Sequence, residues 1–378
     1  MTMTAPITPP LALPPTAPPR ESAALRSRAG AEHAAKLVAV RRILADREAE
    51  AIALTSPGAV GWLLAGARVQ VSLAGDPVVA VVVTADEETV FVFANEVDRL
   101  QQEELPPGVE TALVRWDHSL LPPHRRAGAA GVLHEQDILA ALRAARAALV
   151  PDEIERYSRL CRDSAALMTK VLADVRPEHS ERSVTARLAH AVQDVGADVL
   201  VALGAGRSRL GFRHPLPTSA PVGDLAMFVL CARRDGLIAN LTRWVRFGPA
   251  SVSELDAQKR ILSVEADYFA ATRAGSVLAD VFAAGCAAYS RHGFAADEWT
   301  RHHQGGPCGY NGRDPRASAD VPDLIVLDQA FAWNPSAPGV KVEDTVLLTE
   351  NGIRVLTADP GWPTVTVGGI ARPTVWEL

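Results

Sequence analysis

Cysteine is scarce in this sequence, and long apolar or basic runs are missing altogether. The 378 residues include 4 cysteines, Cys161, Cys231, Cys286 and Cys308, and no two are close together. That spacing excludes a Cys-x-x-Cys redox or zinc motif and fits reduced thiols in a cytoplasmic protein. Only Cys308, in a glycine-rich stretch, has the setting of a reactive thiol, and even there a plain reduced thiol is the expected reading. No apolar run is long enough to span a bilayer. Basic residues form nothing longer than pairs such as Arg41-Arg42 and Arg125-Arg126. With a formal net charge of -6 and a pI near 6.0, this excludes an electrostatic nucleic-acid binder. The first twenty residues lack the basic start of a signal or transit peptide. Their seven prolines by Pro19 predict a disordered tail over residues 1–20. No internal repeat is visible.

What is present is the composition of a globular protein, 48% apolar and 22% charged, long enough for two domains. Leu37, Val40, Ile43 and Leu44 recur at helical spacing within 21–49. Short strands are expected at 51–55, 78–84, 89–94 and 111–115, and an alanine-rich helix at 137–149. Strands alternating with helices predict an α/β domain over 21–150. Pro151-Asp152-Glu153 opens a further helix with proline and acids in its first turn. A second helix is expected at 183–195, with Ser180-Glu181-Arg182-Ser183 before it as cap chemistry. A hairpin around 225–247, helices at 253–274 and 277–292, a glycine-rich loop at 305–312 and strands at 342–349 and 353–357 predict an α+β domain over 151–378.

Residues 223–243, Gly-Asp-Leu-Ala-Met-Phe-Val-Leu-Cys-Ala-Arg-Arg-Asp-Gly-Leu-Ile-Ala-Asn-Leu-Thr-Arg, are the most informative stretch. Two strands flank a tight turn at Arg234-Asp235-Gly236. The stretch resembles the first metal-binding hairpin of the creatinase, aminopeptidase P and methionine aminopeptidase family. Three more segments follow the family in order. Arg213-His214-Pro215 resembles its active-site histidine segment. His302-His303-Gln304-Gly305-Gly306 resembles its histidine-ligand loop. Phe331-Ala332-Trp333-Asn334-Pro335 with Lys341-Val342-Glu343-Asp344 resembles its last two ligand strands. Ala53 to Pro57 with Trp62-Leu63 is similar to the start of the family's N-terminal domain. The resemblance implies an α/β creatinase-like N-terminal domain followed by an α+β pita-bread domain, and a homodimer.

The five metal-ligand positions that the resemblance implies fall on Val229, Asn240, His303, Asn334 and Glu343. A pair of divalent ions needs several carboxylates to balance and bridge it. Valine cannot ligate, and two asparagines bring no charge, so no dinuclear metal and no other cofactor is expected. The resemblance also puts Tyr310 at the family's second loop histidine and His214 in the cleft. Creatinase works without metal through a histidine at the His214 position, and that residue type suits proton transfer near neutrality. Asn334 stands where creatinase recognises its guanidinium through a glutamate, which argues against creatine.

The expected site therefore has His214 as general acid and base. His303, Tyr310 and Glu343 polarise, and Asn240, Asn334, His302 and Arg243 bind substrate. Simpler readings stand beside each. The histidines suit an exposed loop turned by Gly305 and Gly306. Glu343 could pair with Arg243, Tyr310 could pack, and the asparagines could be remnants of lost ligands. The leading expectation is a metal-independent hydrolase acting on a small amide or C–N substrate, or on a short peptide. A catalytically silent binding module, and an Xaa-Pro peptidase with an atypical metal site drawn from His214, His302 or His303 and Glu343, are the alternatives.

Overall fold

The structure, a computed structural model, describes residues 23–378; the expected proline-rich tail at 1–20 lies outside them. The first half opens on helix Ala23–Asp46 and builds a mixed sheet from β1 (Ala51–Leu54), β2 (Val79–Val83), β3 (Glu88–Phe93), β4 (Thr111–Val114) and β5 (Val132–His134). The strand order is β4-β3-β2-β1-β5, with β5 parallel to β1. β1 and β2 read as unbroken apolar runs because both of their faces are covered. Helix Leu139–Ala147 closes this half.

The expected boundary near Val150 falls just before helix Pro151–Ala173, which starts as its Pro-Asp-Glu signal predicts. One apolar cluster crosses it, from Val40 and Leu54 to Leu160, Leu188 and Phe228. After helix Glu181–Asp194, capped by Ser180, come β6 (Asp198–Gly206), β7 (Leu225–Arg234) and β8 (Leu237–Arg246). β6 had no counterpart among the sequence expectations. Asp235 and Gly236 both take positive φ, 51° and 75°, which is what the two central residues of a type I′ hairpin turn require.

Helices Val252–Ala271 and Leu278–Arg291 pack against a second sheet. It comprises β9 (Gly305–Cys308), β10 (Ala330–Trp333), β13 (Val346–Thr349) and β14 (Gly352–Val355), in the order β14-β13-β10-β9. The ribbon β11 (Ser336–Ala337) with β12 (Val340–Lys341) follows β10, and hairpin β15 (Thr364–Val367) with β16 (Ile370–Pro373) follows β14. β17 (Trp376–Glu377) joins the first C-terminal sheet beside β8.

The glycine-rich stretch expected to be a loop is a strand in its first half. Gly305 pairs with Trp333, and a Cβ there would lie 2.1 Å from the Ala332 carbonyl oxygen. Glycine is needed for close backbone approach as well as for its positive φ. The thiol of Cys308 is buried in the core and pushed up to about 11 by that burial. This agrees with its reading as a plain structural thiol. No helix of the described residues is long and apolar enough to cross a membrane.

Candidate active site

The two faces of the β6–β7–β8 sheet carry different partners. Phe228, Leu230, Ala239 and Leu241 point into the helical core. The alternate residues Val229, Cys231 and Asn240 point the other way and floor a cleft of about 400 Å³. Val229 pairs with Thr242 and Cys231 with Asn240, so the residues eleven apart in sequence lie diagonally on one face. His303, Asn334 and Glu343 line the same cleft. All five positions that the resemblance marked for metal ligands are therefore brought together.

Backbone contacts set the position of each. Thr345 Oγ1 accepts from Asn240 N at 2.8 Å and donates to its carbonyl at 3.1 Å. Thr242 N donates to Glu343 O at 3.0 Å, and Asn334 N to Gln304 O at 3.1 Å. The His214 loop is fastened twice. Buried Glu181 accepts from Gly206 N and Thr218 N, each at 2.9 Å, and also takes Arg209. Arg213 pairs with Glu298, just ahead of His302. These ties set His214 Nε2 at 3.1 Å from His302 Nε2.

The three imidazoles form one group. His302 and His303 stack at 4.5 Å with 26° between their planes, and His214 lies 4.8 Å from His302 and 5.8 Å from His303. His214 is exposed, His302 buried and His303 half-buried. Burial, helped by the Lys341 charge, lowers His302 to about 2. Burial and Arg313 lower His303 to about 4. The same two influences, burial and Lys341, lower His214. All are neutral at pH 7.

Glu343 is not free to act as a base. Lys341 Nζ lies 2.9 Å from one of its oxygens, and Thr242 Oγ1 donates to the same oxygen at 2.9 Å. Arg313 Nη2 donates to the other at 2.6 Å. Burial opposes its charge, but Lys341 and Arg313 more than offset that and hold the carboxyl well below its usual range. Lys341, Arg313 and Arg316 all line the cleft, and the sequence reading had assigned none of them. The Lys341 and Arg313 side chains fasten to the only carboxylate that lines the cleft among the described residues. Sequence offered one signal for Lys341, its alternation with Glu343 across Val342.

Three expected residues do not line the cleft: His302, expected to bind substrate, is buried behind His214, and Tyr310 and Arg243 lie elsewhere. Tyr310 is buried against the N-terminal half. Its hydroxyl donates to Glu153 at 2.7 Å and accepts from Arg156 at 2.5 Å and Lys36 at 3.1 Å. It is a structural tie between halves, not a cleft residue. Three residues of chain, Asn311 to Arg313, carry the backbone from there into the cleft. Arg243 is also fully engaged away from the cleft: it donates to Asp344 at 2.9 Å and to Thr357 O at 2.7 Å. The suggested Glu343–Arg243 pair is replaced by Glu343 with Lys341 and Arg313. The side chains fall so because Arg243 is on the face of β8 opposite Thr242 and beside Asp344.

These residues do not fit a pair of divalent metal ions. Of the five ligand positions, Val229, Asn240 and Asn334 hold no charge and His303 is neutral, and one ammonium and one guanidinium are already clamped to the fifth, Glu343. The three histidine nitrogens lie within 4.8 Å of one another, and neutral imidazole is a good ligand. His214 and His302 already engage each other through their Nε2 atoms at 3.1 Å, however, and the positive charges of Lys341, Arg313 and Arg316 act on the group.

The sequence matches the model of metallopeptidase family M24 over residues 155–350. An Xaa-Pro dipeptidase of Pyrococcus furiosus is 23% identical over 227 residues, 54% of this chain and 62% of that protein. The match thus spans less than two thirds of the relative. Among solved structures, the prolidase from Pyrococcus horikoshii superposes with a TM-score of 0.72 at 16% identity, over 85% of this chain and 98% of its own. The N-terminal domain of FACT complex subunit SPT16 from chickpea (Cicer arietinum) superposes with a TM-score of 0.62 at 15% identity, over 88% and 95%. At these identities the solved structures speak for the fold, which is the two-part pita-bread arrangement.

Proposed function

The chain belongs to metallopeptidase family M24, and on that premise we propose that it is a hydrolase of small amide or C–N substrates that works without the dinuclear metal centre, with His214 as general acid and base. One observation carries the reading: a neutral, exposed histidine stands over a cleft in which three ligand positions hold no charge and side-chain cations engage the one carboxylate that remains.

The chemistry follows from those groups. His214 takes a proton from water as the water oxygen adds to the carbonyl carbon. Its Nε2 is engaged with His302, so the proton is carried at Nδ1. His302 is held neutral by burial, so it serves as a hydrogen-bond partner and not as a second cation. Lys341, Arg313 and Arg316 offer positive charge to the oxygen that becomes negative, the service an oxyanion hole provides. His214 then returns its proton to the departing nitrogen as the C–N bond breaks. Asn240 and Asn334 orient the substrate, and His303 adds a ring wall. The test is turnover of N-acyl amino acids and dipeptides by His214→Ala. Loss of nearly all activity is expected, and an unchanged rate would sink the assignment.

A binding module is the second reading, and the doubly clamped Glu343 favours it, since that carboxylate has no free basicity. Likeness to a domain of a complex subunit shows that this fold also occurs in a protein assembly. Under that reading a ligand stays bound unchanged, and His214→Ala leaves its affinity intact.

A further inference from the structure

The cleft carries more positive charge than it uses. Arg313, Arg316 and Lys341 line it against Glu343 alone, and the three histidines are neutral. That leaves an excess of two positive charges in a partly enclosed space. Lys341 and Arg313 each spend one contact on Glu343. Arg316 is exposed and has no ion-pair partner among the described residues. The Nε of Arg313 is buried with no acceptor, and the side chain is only 9% exposed. A buried unpaired donor on a charged group is costly unless a ligand completes it.

Two further groups bound the ligand's chemistry. Asn334 is 2% exposed, lines the cleft, and its Oδ1 accepts no hydrogen bond. It calls for an N–H or O–H on the ligand. Val201, Leu203 and Val229 supply an apolar floor. A cleft of about 400 Å³ holds far more than an inorganic anion, and the floor suits a short carbon skeleton.

We propose that the cleft binds a small organic carboxylate bearing an amide or hydroxyl hydrogen, its carboxylate held between Arg313, Arg316 and Lys341 and its hydrogen donated to Asn334. The negative group of the ligand then stands where the family's ligand positions converge, the reverse of the charge arrangement a metal pair would need. The inference rests on this cleft being the functional site, as proposed above, but not on turnover. A guanidinium fork matches a carboxylate in two hydrogen bonds, which assigns the main part to the unpaired Arg316; Arg313, whose two Nη atoms already donate to Gly312 O and Glu343, adds its remaining Nε–H, and Lys341 adds the point charge behind them.

Calorimetric titration of the full chain tests this with three probes: N-acetylglycine, its uncharged N-methylamide, and Zn²⁺. N-acetylglycine is expected to bind with an affinity that falls as salt is raised, and the N-methylamide is expected to bind at least about tenfold more weakly. Arg316→Ala removes an exposed, unpaired side chain, so folding is not at risk. It is expected to weaken N-acetylglycine about five- to tenfold. Lys341→Met gives a second reading of the same site. Equal affinity for the acid and the amide, no binding of either, or indifference to Arg316→Ala would overturn the proposal. So would stoichiometric Zn²⁺ binding that His302→Asn abolishes. Binding without hydrolysis of any acid removes the catalytic reading and keeps this one. Hydrolysis of neutral amides with no preference for acids does the opposite.

Discussion

His214 Nε2 and His302 Nε2 face each other at 3.1 Å, one ring exposed at the cleft mouth and the other buried behind it. Two neutral imidazoles in that relation share one proton between them, and the buried ring does not take a second until the pH is near 2. The unfolded chain takes one at its ordinary value near 6.5. Below that value the unfolded state holds more protons, so stability falls as pH falls and is fully present above it. His303, lowered to about 4, adds to the slope. Each such proton contributes about 1.4 kcal/mol per pH unit. His302→Asn is expected to flatten the loss of stability between about pH 6.5 and 4 in urea melts. A slope unchanged by the substitution would count against a neutral buried His302.

Glu343 holds two buried cations together, so its removal is expected to cost more than one hydrogen bond. Glu343→Gln leaves Lys341 and Arg313, both nearly buried, without their counter-charge. The expected loss is about 3–5 kcal/mol, read from denaturant midpoints. Adding Lys341→Met should recover part of it. A double variant no better than the single one would mean that the pair does not act as a unit.

Tyr310 is expected to matter for stability and not for ligand binding. Tyr310→Phe removes the acceptor of Lys36 and Arg156 and the donor to Glu153. A loss of about 1–3 kcal/mol is expected, with affinity for cleft ligands unchanged. Lost affinity at full stability would return Tyr310 to the site.

Metal content is the simplest check on the cleft. Purified protein is expected to carry divalent metal well below one equivalent at the cleft, and chelator treatment should leave ligand affinity and any turnover unaltered. Stoichiometric metal with chelator-sensitive activity would restore an ordinary peptidase reading. Val229→Asp with Asn240→Asp and Asn334→Glu is not expected to recruit Mn²⁺ while Lys341 and Arg313 remain, because the new carboxylates gain those cations as partners first.

The hairpin, the helix start at Pro151, the cap segment at 180–183 (its helix begins two residues earlier than expected, at Glu181) and the order of the family segments were legible because each rests on local rules: turn glycines, caps and alternation. The convergence of Val229, Asn240, His303, Asn334 and Glu343 was legible through the resemblance alone. β6 was missed because its short apolar run, Val199 to Leu203, runs into Gly204-Ala205-Gly206, which reads as a loop, and pairs at a register shift between Val199 and Val201. Tyr310 and Arg243 were misplaced for a different reason. Their partners lie far away in sequence, at Lys36 and Glu153 for one and at Asp344 and Thr357 for the other. No local pattern carries such pairings. Arg313 was overlooked because a cation just past a glycine-rich stretch looks like solvent-facing charge until the fold turns it inward, and Arg316, which stays exposed, because no local pattern marks the cleft it lines.

The segment between β9 and Arg313 has a consequence for how small this protein can be made. Tyr310 is anchored by Lys36, Glu153 and Arg156, all but the last ahead of residue 155, where the family match begins. Only two residues separate that anchor from the guanidinium that grips Glu343. A fragment trimmed to 155–350 would keep every cleft residue named above and lose the mooring of Arg313. The N-terminal half is in this sense the far abutment of the cleft, and a shortened chain would hold its chemistry on an unsupported span.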